Sequence, residues 1–441
     1  MSYFVRYFSG IPAHIIILLL AVMISDMSSI MAFSTLSSFL TVNCGFDILS
    51  MNALDSFFYF ISLGSKCIFG LLSDYSRKKI NWVLIGYLGI LFSRALSSGA
   101  HIAIVDISKI GYMLVVAKFL ERFFNGLQGS VRDSYISNSV PDNYRIKCFM
   151  LKQSAGSMGC VVGSIINVLI LKYSALNHSL VLNVALCLSF FATCILVIAI
   201  KYGKSRGLLK SAEAMDSVRR KPSLRDFDVL KSLKSLYVIL TRLGVRFWLA
   251  TVIAFFFYIA QISDFTIKSY FDGNVHFDAM YRKEYLSPLI FVLIHFFTSL
   301  FATPVAIFTE KMKNKYIVFM WFIVVFIICD IILLFMKSSI FMVLLFGPIM
   351  VGTLTISFGL LQACAIDAVP SNIRGAAIGI FQCLCAFACS ISGVFRGVMK
   401  SLYGPDVNIF FINMLWNCIT LCVVLVICYI GRSLKDSRDA N

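Results

Sequence analysis

Val140-Pro141-Asp142-Asn143-Tyr144-Arg145 returns as Val369-Pro370-Ser371-Asn372-Ile373-Arg374, with four of six residues identical and each copy set between two apolar stretches. Pro141 and Pro370 are separated by about half the length of the chain, so the repeating unit is half a protein, not a short solenoid module. Paired halves of several membrane helices are how many transporters build a central site that opens to either side in turn.

Composition fixes the solvent. Hydrophobic residues make up 59% of the chain and charged residues 14%, and the mean hydropathy is +0.87. A hydrocarbon core about 30 Å thick needs roughly 20 apolar residues per helix, and only helices or closed barrels satisfy their backbone groups inside it. About twelve apolar runs fall near 13–38, 53–73, 82–104, 110–131, 148–171, 180–200, 246–270, 286–309, 316–336, 339–363, 376–399 and 407–430. The expected fold class is therefore an all-α integral membrane protein of about twelve transmembrane helices in two pseudo-symmetric six-helix halves, 1–200 and 241–441, joined by a linker at 201–240.

The formal charge of +17 does not call for a nucleic acid, because Lys and Arg crowd alternate loops. Arg77, Lys78 and Lys79 follow helix 2; Arg132, Arg145 and Lys147 follow helix 4; Lys311, Lys313 and Lys315 follow helix 8. Positive loops mark the cytoplasm, which predicts both termini inside. The first apolar run continues through Asp26 to Leu40 without a small-x-small cleavage site and reads as a retained helix. The longest polar stretch, Lys201 to Lys234, reads as a cytoplasmic linker. The fourteen cysteines lie mostly in apolar runs and read as packing residues. Cys383, Cys385 and Cys389 lack Cys-x-x-Cys spacing, and the five histidines are scattered, so the sequence predicts no metal, no cofactor and no catalytic set.

The loop after helix 2 reads Gly70-Leu71-Leu72-Ser73-Asp74-Tyr75-Ser76-Arg77-Lys78-Lys79. It resembles the signature Gly-x-Leu-Ala-Asp-Arg-x-Gly-Arg-Lys of the major facilitator superfamily (MFS), with Tyr75 and Arg77 departing from it. A faded second copy holds Ala306, Glu310, Lys311 and Lys315, and Glu310 follows Asp74 at close to the interval that separates the two prolines. A basic cytoplasmic loop alone would explain the lysines but not a carboxylate at the same place in both halves. Much of the chain also resembles an uncharacterised bacterial branch of the superfamily, through Asp26, Ser28, Ser29 and Met31; Gly86, Tyr87 and Arg94; Glu121, Arg122, Gly126, Arg132 and Asp133; Ser139, Val140 and Pro141; and Ser263 with Asp264. The acidic residue that this branch carries in helix 5 is Gly156 here.

Charged residues inside apolar helices cost roughly 2.5 to 3.5 kcal/mol each, so they belong in a wet cavity or beside a partner. Asp26 with Ser29 in helix 1, and Gln261, Asp264 and Lys268 in helix 7, form polar stripes; Asp264 follows Asp26 at nearly the interval from Asp74 to Glu310, which makes the two pseudo-equivalent. An intrahelical pair of Asp264 with Lys268 at i+4 is the equal alternative to a transport role. Lys118, Glu121, Arg122, Asn125, Gln128 and Arg132 repeat at three- and four-residue spacing in helix 4, a stripe that cannot face lipid. Arg122 with Gly126 resembles a superfamily helix 4 motif associated in antiporters with proton movement; a static tie from Glu121 to an arginine is the equal alternative. Gly156, Gly159 and Gly163 form a small face in helix 5 that resembles the Gly-rich motif of drug exporters, with Ser164 for its Pro.

The candidate substrate and coupling residues are thus Asp26, Ser29, Arg94, Glu121, Arg122, Asn125, Gln261, Asp264 and Lys268. The candidate gating residues are Gly70, Asp74, Lys78, Lys79, Arg132, Asp133, Arg145, Glu310, Asp367 and Arg374. The expectation is a monomeric secondary transporter of a small molecule in a lipid bilayer, by resemblance a bacterial inner membrane, with a proton as its coupling ion. The helix 4 and helix 5 resemblances lean toward export. The rivals are an uptake permease, a polytopic membrane enzyme, which the scattered histidines speak against, and a transport-dead receptor.

Overall fold

The computed structural model describes residues 11–42, 44, 48–75, 79–104, 106–141, 144–174, 177–206, 240–241, 243–260, 283–312, 316–335, 340–370, 373–403 and 409–439. Twelve long helices follow one another among them. The first six are α1 (Ala13–Val42), α2 (Ile48–Tyr75), α3 (Lys79–Ala103), α4 (Ile107–Ser139), α5 (Arg145–Tyr173) and α6 (His178–Ser205). The second six are α7 (Val245–Ile259), α8 (Lys283–Lys311), α9 (Tyr316–Phe335), α10 (Ile340–Asp367), α11 (Arg374–Tyr403) and α12 (Ile409–Asp439). Each expected run coincides with one helix. α4 and α12 continue beyond their apolar stretches to Ser139 and Asp439, and α7 covers the expected run to Ile259, the rest of that run lying outside the described residues. Residues 261–282, and most of the linker at 207–239, lie outside the described residues.

The repeated hexapeptide makes the same turn twice. Proline lacks an amide hydrogen and pushes the residue before it out of the helical region, so α4 stops ahead of Pro141 and α10 ahead of Pro370. In each copy the amide three residues on closes the turn onto the proline carbonyl, Tyr144 on Pro141 at 2.9 Å and Ile373 on Pro370 at 3.2 Å. The arginine that ends each copy then opens the next helix, Arg145 in α5 and Arg374 in α11.

The duplication extends to the packing. The main pairings of the first half are α1–α6, α1–α5, α3–α4, α2–α4 and α3–α6, and the second half repeats them as α7–α12, α7–α11, α9–α10, α8–α10 and α9–α12. The seams between the halves follow the same rule, α2 with α11 and α5 with α8, then α5 with α10 and α4 with α11. Lipid tails are as apolar as leucine, so close backbone approach through small residues takes the place of a hydrophobic drive. Within the first half, Gly159 and Gly163 lie against the Met23 and Met27 carbonyls of α1, and a Cβ on Gly163 would stand 2.6 Å from the Met27 oxygen. Between the halves, Gly70 of α2 meets Gly375 and Gly379 of α11.

Over the described residues, eight of the twelve helices are long and apolar enough to cross a membrane by length and composition. α4 is not among them, although it has 33 residues. Its polar side chains face inward, and Lys118, Glu121, Gln128 and Asp133 are all buried.

Candidate functional site

A cavity of about 180 Å³ lies near the middle of the bundle. Asp26, Ser29, Ile30 and Phe33 of α1, Tyr59 of α2, Lys118, Glu121, Arg122 and Asn125 of α4, and Cys160 of α5 form most of its wall, and His295 of α8 closes it from the second half. Each of these residues stands near the midpoint of its helix, so the cavity sits at mid-height between the two ends.

Beside it, one carboxylate serves two cations. Arg94 of α3 donates through Nη1 to Glu121 Oε2 at 2.8 Å, and Lys118 Nζ donates to the same oxygen at 2.9 Å. Arg94 also reaches Ser28 Oγ at 3.2 Å and Ser29 Oγ at 3.1 Å on α1, so a single guanidinium holds α1, α3 and α4 together. Arg94 and Glu121 are each only 2% exposed, a setting in which an ion pair keeps most of its strength. The Lys118 ammonium rests 4.9 Å from the centre of the Phe33 ring, and the Arg122 guanidinium lies 5.2 Å from that of Tyr59.

Asp26 stands apart from that tie. Among the described residues no side-chain donor reaches its carboxylate, although Arg132, Lys152 and Glu121 act on it electrostatically. The helix 5 position where the resembling branch carries an acid has a purpose here: a Cβ on Gly156 would come within 2.5 Å of Asp26 Oδ2. Gly156 therefore makes room for the carboxylate of α1. Gly126, four residues after Arg122, likewise lies against Ser62 and Ser65 of α2, and Gly159 and Gly163 serve α1–α5 packing. These glycines have a packing role.

Toward the end of the bundle that carries the two Val-Pro turns, a second carboxylate bridges the halves. Asp133 of α4 accepts Lys152 Nζ of α5 at 2.9 and 2.8 Å, and it also accepts the side-chain amides of Gln362 in α10 at 2.8 Å and Gln382 in α11 at 3.0 Å. Arg132 Nε stands 3.5 Å from it. Nearer the same end, Arg145 donates to Asp367 at 2.9 Å, so the arginine of the first repeat pairs with the last residue of α10. The α2–α11 seam is in contact at both ends, at Gly70 with Gly379 and where Ser390 Oγ donates to the Ser56 carbonyl at 3.4 Å.

The sequence profile of the Major Facilitator Superfamily matches residues 18–394. The chain belongs to this superfamily. It is 23% identical over 361 residues to an uncharacterized MFS-type transporter of Methanocaldococcus jannaschii, with 81% of each chain covered. It also superposes on the MFS proton:xylose symporter XylE bound to 6-bromo-6-deoxy-D-glucose, at a TM-score of 0.70, 14% identity and 95% of each chain. A POT family transporter in complex with a thioalcohol conjugated peptide gives a TM-score of 0.69, 15% identity and 97% of each chain. These two likenesses establish the fold.

The structure gathers Asp26, Ser29, Glu121, Arg122 and Asn125 around one cavity, with Arg94 directly behind it. The tie from Glu121 to an arginine runs to Arg94 on α3, with Lys118 as a further partner. Among the gating candidates, Asp133, Arg145 and Asp367 link the halves, and Gly70 lies in the α2–α11 seam. Lys79 donates to Ser134 at 2.9 Å inside the first half, and Arg374 Nε to the Val369 carbonyl of its own turn at 3.4 Å. Lys78, Gln261, Asp264 and Lys268, and the side chains of Asp74 and Glu310, lie outside the described residues.

Sequence reasoning missed Lys152, Gln362 and Gln382, and also a wholly buried cluster in the second half. There Asp330 of α9 accepts Asn413 and Asn417 of α12 at 2.7 to 3.0 Å, and Asn413 in turn accepts Arg396 of α11 at 2.8 Å. Polar residues inside the apolar runs of α9, α11 and α12 were the available signal.

Proposed function

We propose that this membrane transporter is a secondary active one, which moves a small solute by alternating access of its two six-helix halves around the mid-height cavity. The observation that carries the reading is the pairing of that cavity with ties across the halves at one end. Asp133 with Gln362 and Gln382, and Arg145 with Asp367, join first-half helices to α10 and α11. Opening that end must break both, and closing it must remake them. Packed interfaces of this kind are bistable rather than continuously deformable, and that suits a gate.

The same end carries the basic loops after α2 and α8, and Arg145 and Lys147 open α5 there, so it faces the cytoplasm and both termini lie on that side. The coupling ion is a proton and its carrier is Asp26. Glu121 is held by Arg94 and Lys118, whereas the Asp26 carboxylate lines the cavity without a described side-chain donor. A group that must load and release a proton within a cycle cannot be permanently paired.

Distances between spin labels on the cytoplasmic ends of α4 and α10, measured in nanodiscs, test the gate. Asp133→Asn is expected to raise the population with the longer distance, and an unchanged distribution would remove Asp133 from the gate.

A further inference from the structure

The α2–α11 seam holds two thiols from opposite halves. Glycine sets the spacing there: a Cβ on Gly379 of α11 would stand 3.4 Å from the Cα of Gly70 and 3.5 Å from the Cα of Cys67, both on α2. A disulfide asks for about 4.4 to 6.8 Å between its Cα atoms, and helices cross that closely where small residues let their backbones meet. One turn after Gly379 comes Cys383, whose thiol lies within hydrogen-bonding reach of the Cys67 thiol. Both cysteines are free and only partly buried. The pair stands within about one turn of Gly70, which itself meets Gly375 just inside the start of α11, so it lies toward the end of the bundle that carries the two Val-Pro turns. Two thiols held as neighbours become a disulfide once either is oxidised, because the second attack is intramolecular.

We infer that Cys67 and Cys383 are a modification site: a hydroperoxide oxidises them to a disulfide that staples α2 to α11 and holds the cytoplasmic end of the seam shut. The thiolate of one cysteine attacks the peroxide, a sulfur–oxygen bond forms as the oxygen–oxygen bond breaks, and the departing oxygen takes up the thiol's proton and leaves as water or an alcohol. The second sulfur then attacks the sulfenic sulfur. The sulfur–sulfur bond forms, the sulfur–oxygen bond breaks, and hydroxide leaves as water with the second thiol's proton. Two electrons pass from the two sulfurs to the peroxide. Glutathione and thioredoxin keep cytoplasmic thiols reduced, so the staple forms under oxidative load and is removed by thiol exchange. Its consequence for transport rests on the alternating-access reading above, because a bond between the halves stops only a protein whose halves must part.

Full-length protein in nanodiscs, treated with hydrogen peroxide and then with reduced glutathione, tests both the bond and its effect. Mass spectrometry of a non-reduced digest should find the Cys67 and Cys383 peptides joined after peroxide and separate again after glutathione. Cys67→Ser and Cys383→Ser should each abolish the joined species; if one of them does not fold, the other variant and the unaltered protein still decide. Sulfinic acid without a disulfide, or Cys67 joined instead to Cys385 or Cys389, would overturn the inference. Distances between nitroxides carried on non-canonical residues at the cytoplasmic ends of α2 and α11 give the second readout. The longer-distance population of the untreated protein should vanish after peroxide, return with glutathione, and survive peroxide in Cys67→Ser. If the disulfide forms and that population persists, the staple does not lock the seam, and the inference fails while the transport reading stands. If the disulfide forms but the untreated protein never shows the longer distance, the modification site remains and the alternating-access reading fails.

Discussion

The two halves share a scaffold and differ in what they bury. In the first, charged groups surround the cavity and are tied pairwise across α1, α3, α4 and α5. In the second, the described buried charges collapse into one neutral knot, Asp330 with Arg396 through Asn413, and among the described residues only His295 reaches the cavity wall. Arg94 and Asp330 make the point closely: they stand as far apart in sequence as Asp74 and Glu310 do, on corresponding helices α3 and α9. One position has been given opposite charges. Duplication thus preserved the helix pairings, while the described buried charges of the two halves diverged.

The sharpest way to break this comparison is to remove the central carboxylate of each network. Glu121→Gln leaves Arg94 and Lys118 buried without their shared counter-ion, and losing one partner of a buried ion pair costs about 3 to 5 kcal/mol. Asp330→Asn keeps the shape and one acceptor oxygen for Asn413 and Asn417, so it should cost about 1 to 3 kcal/mol. Denaturation of the two purified variants compares them. Equal losses would mean that the second-half knot is as strained as the first-half network.

Glycine contacts sharpen the distinction between what lies inside a half and what lies between halves. Gly159 touches the Met23 carbonyl inside the first half, and Gly379 faces the Lys66 carbonyl across the α2–α11 seam, where a Cβ would stand 2.9 Å from that oxygen. Adding a methyl to either overpacks a tight crossing at about 1 to 3 kcal/mol. Gly159→Ala should spend that cost as lost fold stability. Gly379→Ala can relieve it by letting the halves separate, so its melting temperature should fall less while labels across the seam move apart. If both variants lose stability equally and neither changes the label distance, the seam is as rigid as the interior of a half.

How much of this was legible in sequence follows from where the signals lie. The turn at Val140-Pro141 and its copy give the duplication because proline punctuates helices locally. The α4 stripe is legible because Lys118, Glu121, Arg122 and Asn125 recur at helical spacing. Lys152, Gln362 and Gln382 escaped notice because their common partner, Asp133, lies on a different helix from each of them and no spacing along the chain encodes that meeting. Asp330 escaped for a related reason: one acid in an otherwise apolar helix has no stripe, and its partners come from α12 and, through Asn413, α11. Gly156 read as a lost acid, whereas its lack of a side chain is what admits Asp26.

The smallest expected effect on the fold, and the most informative about coupling, is Asp26→Asn. Its carboxylate holds no described side-chain donor and lies in a cavity, so neutralising it should change stability by less than about 1 kcal/mol. Its effect on coupling should be larger. The distance distribution between labels on the cytoplasmic ends of α4 and α10 should shift with pH in the unaltered protein, because a coupling carboxylate must favour different states when loaded and when empty. Asp26→Asn, fixed in the neutral form, should lose that shift while the two states themselves remain. A pH response that survives in Asp26→Asn would take the coupling role away from Asp26.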